Sequence, residues 1–129
     1  MTKQSGGDTV EYVLAKQVGD RAFFAKVTLV VSPSVDEAGL DITIDPTVDQ
    51  RWHSAVSFGI EYGWERLGRE RVDMPSVRVH VAAVEWQPSD TTLMTVAFAA
   101  ANAIWKALKH RPAKEPQLDV ASGSFIFSN

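Results

Sequence analysis

The chain has 129 residues, 45% of them apolar and 22% charged, with a formal charge of −3 and no cysteine. That length suits one domain with one core, and the missing cysteines exclude disulfides, thiolate metal sites and a cysteine nucleophile. The slight acidity gives no general attraction to nucleic acid or to an anionic membrane.

Met1 to Asp8 is polar and carries no apolar centre of a signal peptide, so it reads as a flexible arm of a cytoplasmic protein. Strand-like stretches follow. Thr9 to Lys16 is rich in Val, Tyr and Leu. From Ala22 to Ser32, Phe23, Ala25, Val27, Leu29 and Val31 alternate with Phe24, Lys26, Thr28 and Val30, and a period of two sets the first group against a core. Pro33 stops this strand. After an acidic turn at Asp36-Glu37, Leu40, Ile42 and Ile44 alternate with Asp41, Thr43 and Asp45.

The period then lengthens. Trp52, Ala55, Val56, Gly59, Ile60, Gly63, Trp64 and Leu67 form one stripe of an amphipathic helix. Thr47 with Gln50 is expected to be its capping box and Gly68 its C-terminal cap. Gly59 and Gly63 each weaken a helix by roughly 1 kcal/mol against Ala, so their place on the buried stripe predicts close approach to the sheet. A fourth strand runs from Val77 to Val84, with Val77, Val79, Val81 and Ala83 inward. Pro88 and Ser89-Asp90-Thr91-Thr92 supply turn and N-cap chemistry for a second helix over Leu93 to His110. Its apolar residues spread round more than one side, which predicts burial between the sheet and the first helix. The run Val96 to Ile104, interrupted by Asn102, is too short to cross a bilayer. Pro112 and Pro116 end the helix region, and Leu118 to Phe127 is a last strand or a tail.

The order β-β-β-α-β-α predicts an α+β two-layer sandwich, a mostly antiparallel four-stranded sheet with two helices on one face. Three segments are expected: the arm at 1–8, the domain at 9–116, and an extension at 117–129. Phe125 to Phe127 of that extension is predicted to pack as an added strand on the sheet, or on a second copy to give a homodimer, because three large apolar side chains near a chain end favour burial.

The spacing also resembles a known family, domain IV of the elongation factor G proteins. Val10-Glu11-Tyr12 resembles that family's Val-x-Tyr, and Arg21 to Val27 its Arg-Gly-Gln-Tyr-Gly-His-Val. Ala55 to Ile60 resembles its Ala-Val-x-x-Gly-Ile helix, Asp90-Thr91-Thr92 its Asp-Ser-Ser, Ala97 to Ala101 its alanine-rich helix, and Glu115-Pro116 its closing Glu-Pro. The resemblance covers about Val10 to Val120. It implies a ribosomal-protein-like fold with a left-handed β-α-β crossover, where handedness statistics alone favour a right-handed one. It also implies a non-enzymatic module, without cofactor, that reaches the ribosome or RNA through loops at one end, here Val18 to Ala22 and Trp86 to Asp90. Arg21, Trp86, Gln87 and Asp90 are the binding residues this implies; Gln87 stands about where the family has a histidine. No Walker A pattern is present. The alternative is a protein-interaction or homo-oligomer module that has lost ribosome function.

Other candidates weigh less. Asp41, Asp45 and Asp49 could bind a metal but read better as a solvated strand face and a helix start. His53, His80 and His110 have no metal-ligand spacing, and Ser54, Ser57 and Ser89 lack a nucleophile-elbow context. Lys106, Lys109, His110, Arg111 and Lys114 form a basic cluster that could contact phosphate, although cations at a helix C-terminus also offset the macrodipole. No catalytic residue and no metal site is expected, and a phosphate loop of the small-kinase kind is absent.

Overall fold

The computed structural model describes residues 7–34, 39–70, 76–112, 115–119 and 124–127. Alternating apolar residues build strands β1 (Asp8–Val18), β2 (Arg21–Pro33), β3 (Leu40–Ile44) and β4 (Val77–Glu85), which lie side by side in the order β1-β2-β4-β3. The β1–β2 and β2–β4 pairs are antiparallel, and β3–β4 is parallel. Helices α1 (His53–Gly68) and α2 (Leu93–Leu108) complete a two-layer α+β sandwich. Of the N-terminal arm, 1–6 lie outside the described residues, and Asp8 already belongs to β1. The Asp36-Glu37 turn and Lys114 also lie outside them.

Val27, Leu29, Val79 and Val81 are fully buried on the helix-covered face of the sheet. Burying each such side chain stabilises the fold by about 1.5–3 kcal/mol. A one-residue slip would turn all of them outward, so this pattern also selects the register. The opposite face carries Lys26, Thr28, Arg78 and His80. There Lys26 bridges Glu11 and Glu85 at 3.4 Å each.

The alternation of β4 breaks once. Thr28 pairs with Ala83 but Leu29 pairs with Val81, so Ala82 is an extra residue, a β-bulge. Beyond it the faces exchange: Val84, opposite the buried Val27, packs on the core, and Ala83 faces the open side with Thr28. The inward assignment of Ala83 is therefore corrected to Val84. The same shift brings Trp86 to the core side.

The helix glycines serve a helix–helix contact, not the approach to the sheet that the stripe suggested. A Cβ on Gly59 would lie 2.3 Å from the Ala97 carbonyl oxygen, and one on Gly63 would lie 2.4 Å from Ile104 Cγ2. Trp105, fully buried, donates its indole N–H to the Gly63 carbonyl at 2.9 Å. It sits deeper than the edge of an apolar stripe.

The helix ends also differ in part from expectation. Thr47 donates its hydroxyl and its backbone N–H to Asp45 and does not cap α1. Asp49 instead accepts the Arg51 N–H and starts a single 3₁₀ turn, Gln50–Trp52, that leads into α1. Gly68 is the last residue of α1, and the cap residue Arg69 keeps right-handed geometry. The α2 start is as anticipated: Thr92 and Thr95 form a reciprocal capping box. The helix stops at Leu108, two residues before His110.

The tail forms a hairpin of its own. β5 (Gln117–Asp119) pairs antiparallel with β6 (Ser124–Ile126), separate from the main sheet, so the added strand on the parent sheet is not formed. Its aromatic residues nonetheless pack on the domain. The Phe125 ring lies 5.0 Å from Phe98 and 5.7 Å from Phe23, and Phe127 lies 5.0 Å from Tyr62 and 5.7 Å from Phe58. The physical reason is that α2 and the Phe58–Tyr62 side of α1 offer apolar surface, whereas a lone edge strand offers mainly backbone groups. Among the described residues no helix is long and apolar enough to cross a membrane.

Candidate binding site

One end of the sandwich is built from the β1–β2 turn and the β4–α2 loop. The turn is Gly19-Asp20, closed by the Val18–Arg21 pair, with Gly19 at φ +64°. Both common two-residue hairpin turns need positive φ at their first position, which glycine supplies without strain. Pro88 and its neighbours form the second loop, and this loop is tied to β2 beyond the end of β4. The Phe24 N–H donates to the Asp90 carbonyl at 3.0 Å. The buried Thr91 hydroxyl donates to the Phe24 carbonyl at 2.6 Å and accepts from the Gln87 N–H at 2.9 Å. The loop thus continues the ladder that β4 leaves off, and the two loops are held as one surface.

A cleft of about 330 Å³ opens between them, lined by Asp20, Arg21, Ala22, Phe23, Ser89, Asp90 and Thr92. Arg21 and Asp90 are therefore brought together. The Arg21 guanidinium carbon also stands 5.6 Å from the Phe23 ring centroid. Trp86 is not in this cleft. Its ring meets Trp52 edge-on at 5.6 Å, with Arg51 stacked over it at 4.3 Å. Arg21 and Trp86, both named from the resemblance as loop-end residues, therefore sit apart: the bulge in β4 turns Trp86 toward α1. Gln87 contributes through its backbone, as donor to Thr91 and acceptor from the Asp90 and Thr91 N–H groups. Thr91, which belongs by sequence to the turn and N-cap run and to the Asp-Ser-Ser resemblance, is the residue that fixes this loop. Its pin to Phe24, 67 positions earlier, leaves no local signal.

The basic cluster lies elsewhere, at the C-terminal end of α2. Lys106, Lys109, His110 and Arg111 line a cavity of about 450 Å³ with Tyr12 and Trp105. Lys106 Nζ donates to the Glu11 carbonyl at 2.9 Å. Arg111 donates through Nε at 2.8 Å and Nη2 at 2.9 Å to Glu115, and Nη2 also meets Asn102 Oδ1. The hydrogen bond from Arg111 holds the Glu115 carboxyl below its ordinary range, and Glu115 in turn raises Arg111. Burial pushes the Tyr12 phenol up, against the opposing pull of Arg111.

The acidic and histidine candidates are occupied by their neighbours. Asp41 pairs with Arg78 at 3.3 Å. Asp45 is held below its ordinary range by the Thr47 N–H and hydroxyl, and it lies 3.4 Å from His80. His80 Nδ1 is 2.8 Å from the Thr43 hydroxyl, and His53 Nε2 is 3.0 Å from the Val48 carbonyl. Among the described residues no cluster of three or more His, Asp or Glu could hold a metal ion.

The fold and these two clefts define a small α+β sandwich domain with a cleft toward each end. No family model matches the chain, and no curated protein matches it. A crystal structure of a Thermus thermophilus protein, whose name carries no functional term, is similar with a TM-score of 0.59 and 18% identity. The similarity covers 81% of this chain but 16% of that one, so this chain corresponds to a small part of a much longer protein. At that identity the likeness is one of fold.

Proposed function

We propose that the chain is a non-enzymatic binding module of the elongation factor G domain IV type, which engages ribosomal RNA with its loop end. The observation that carries this reading is the union of the two loops. Phe24, Asp90 and Thr91 tie the Gly19-Asp20 turn and the Trp86–Asp90 loop into one surface, with Arg21 exposed at its rim. A pre-ordered tip loses little entropy on docking, and an arginine there suits a phosphate or a base edge. The test is co-sedimentation with ribosomes at low salt, where phosphate contacts are strongest. Wild type is expected in the pellet, and Arg21→Ala is expected to shift to the supernatant. Wild type left wholly in the supernatant refutes the reading.

A specific observation favours a second reading, a protein-interaction or homo-oligomer module in the cytoplasm. Phe58, Leu93 and Met94 are 48%, 52% and 41% exposed around one apolar groove between α1 and α2, and Ile126 of the tail is 52% exposed. Apolar side chains clustered in this way mark contact surfaces more often than scattered ones do. Light scattering that finds a monomer at high concentration removes the self-association form of this reading.

A further inference from the structure

The α2 C-terminus ends in a Schellman motif. The His110 N–H bonds the Trp105 carbonyl at 3.2 Å, and the Lys109 N–H bonds the Lys106 carbonyl at 3.3 Å. This motif needs a left-handed residue at the position of Lys109, a place where glycine is the usual choice. Here it is a lysine, at φ 58°, the one non-glycine residue with positive φ among the described residues. A side chain kept at a strained position calls for a use of that side chain. The macrodipole does not supply one, because Lys106 already places a cation in the last turn without strain.

The surroundings supply the use. Lys109 stands on the rim of the cavity of about 450 Å³ lined by Tyr12, Trp105, Lys106, His110 and Arg111. The charge of Arg111 is matched by Glu115. Lys106 commits one donor to the Glu11 carbonyl. Among the described residues no hydrogen bond or ion pair engages the Lys109 ammonium. Trp105 and Tyr12 form an aromatic floor that keeps water from one side, and contacts between opposite charges strengthen where water is excluded. The Tyr12 phenol adds a neutral donor on the same wall. His110 Nε2 already faces the Glu70 carboxylate at 3.8 Å, which leaves two ammonium groups and a phenol round an apolar floor to meet a tetrahedral oxyanion.

We propose that this cleft is a phosphate site, filled by the phosphate of a nucleotide or of a single-stranded RNA, with Lys109 as its principal cation. It stands apart from the loop-end reading, because it lies at the other end of α2 and uses none of the same residues.

The test is a titration followed by backbone amide shifts at low salt. Three probes are used: inorganic phosphate, adenosine 5′-monophosphate and a ten-residue oligouridylate. Amides of Lys106, Lys109, His110 and Arg111 are expected to move together. Saturation by the mononucleotide assigns the site to a monoester, and saturation by the oligomer alone assigns it to an RNA diester. Lys109→Gly is the decisive variant. It removes the charge and the backbone strain together, so affinity should fall about tenfold, the worth of one charge-assisted contact, while the Tm rises by roughly 4 °C. Lys109→Arg should keep the affinity. The proposal is overturned if no probe moves these amides, if Lys109→Gly binds as wild type does, or if Lys109→Gly melts lower.

Discussion

Replacing Gly59 by Ala sets two effects against each other. In an isolated helix the change is favourable by about 1 kcal/mol, because glycine carries the larger backbone entropy. In this domain the new Cβ would stand 2.3 Å from the Ala97 carbonyl oxygen and 2.8 Å from Ala100 Cβ. A Cβ essentially never comes so near another heavy atom, and Ala97 O is backbone in the middle of α2, so no rotamer change can relieve the contact. The helices must separate, and the fully buried Val96, Ala100 and Ile60 lose contacts with them. Overpacking of this kind costs typically about 1–3 kcal/mol. With a backbone atom as obstacle the upper figure applies, and after the helix-propensity gain the net loss is about 2 kcal/mol. For a chain of this size that is a fall in Tm of about 6–10 °C. Gly63→Ala meets the Ile104 Cγ2 methyl at 2.4 Å, a side-chain atom that can move, so its loss should be smaller. Adding Ile104→Ala to Gly63→Ala should cost less than the sum of the two single changes. Thermal and denaturant melts of the four variants and wild type measure all of this. A Gly59→Ala protein that melts at or above wild type refutes the helix-contact argument.

Other changes test separate contacts. Trp105→Phe removes the donor to the Gly63 carbonyl inside a dry core and is expected to cost about 1–3 kcal/mol in a denaturant melt, with the secondary structure seen by far-ultraviolet dichroism retained. Phe125→Ala removes two ring contacts, to Phe23 and Phe98, and should cost about 1–2 kcal/mol; an unchanged melt would mean that the tail does not cover the domain in solution. Acid stability follows from Glu115. Its carboxyl is depressed in the folded state, so its contribution is complete above the unfolded value, about 4.3, and disappears as pH falls through the lower folded value. The unfolding midpoint should therefore drop on acidification below about pH 4.3, and Glu115→Gln should flatten that part of the curve while lowering stability at pH 7.

What the sequence by itself determined was everything carried by local period and local chemistry. The two-residue alternation of β2 shows which face is buried. The stripe from Trp52 to Leu67 and the alanine-rich run of α2 show two helices that pack closely. Pro33 and the Asp90–Thr92 run show where elements stop and start. Each of these signals arises within one segment, from the geometry of its own backbone. Tertiary structure alone decided whatever depends on a partner distant in the chain. The bulge at Ala82 exists only in the register of β4 against β2, and it sends Trp86 to Trp52 instead of to the loop cleft. Gly59 and Gly63 reveal their target only when α2 is laid on α1. The same holds for Thr91 and Phe24, and for a tail that folds on itself because two helices offer it more aromatic surface than a strand edge does. Periodicity tells a segment which side to bury. Only packing tells it against what, because that choice is made between surfaces that the chain brings together after its local structure is set.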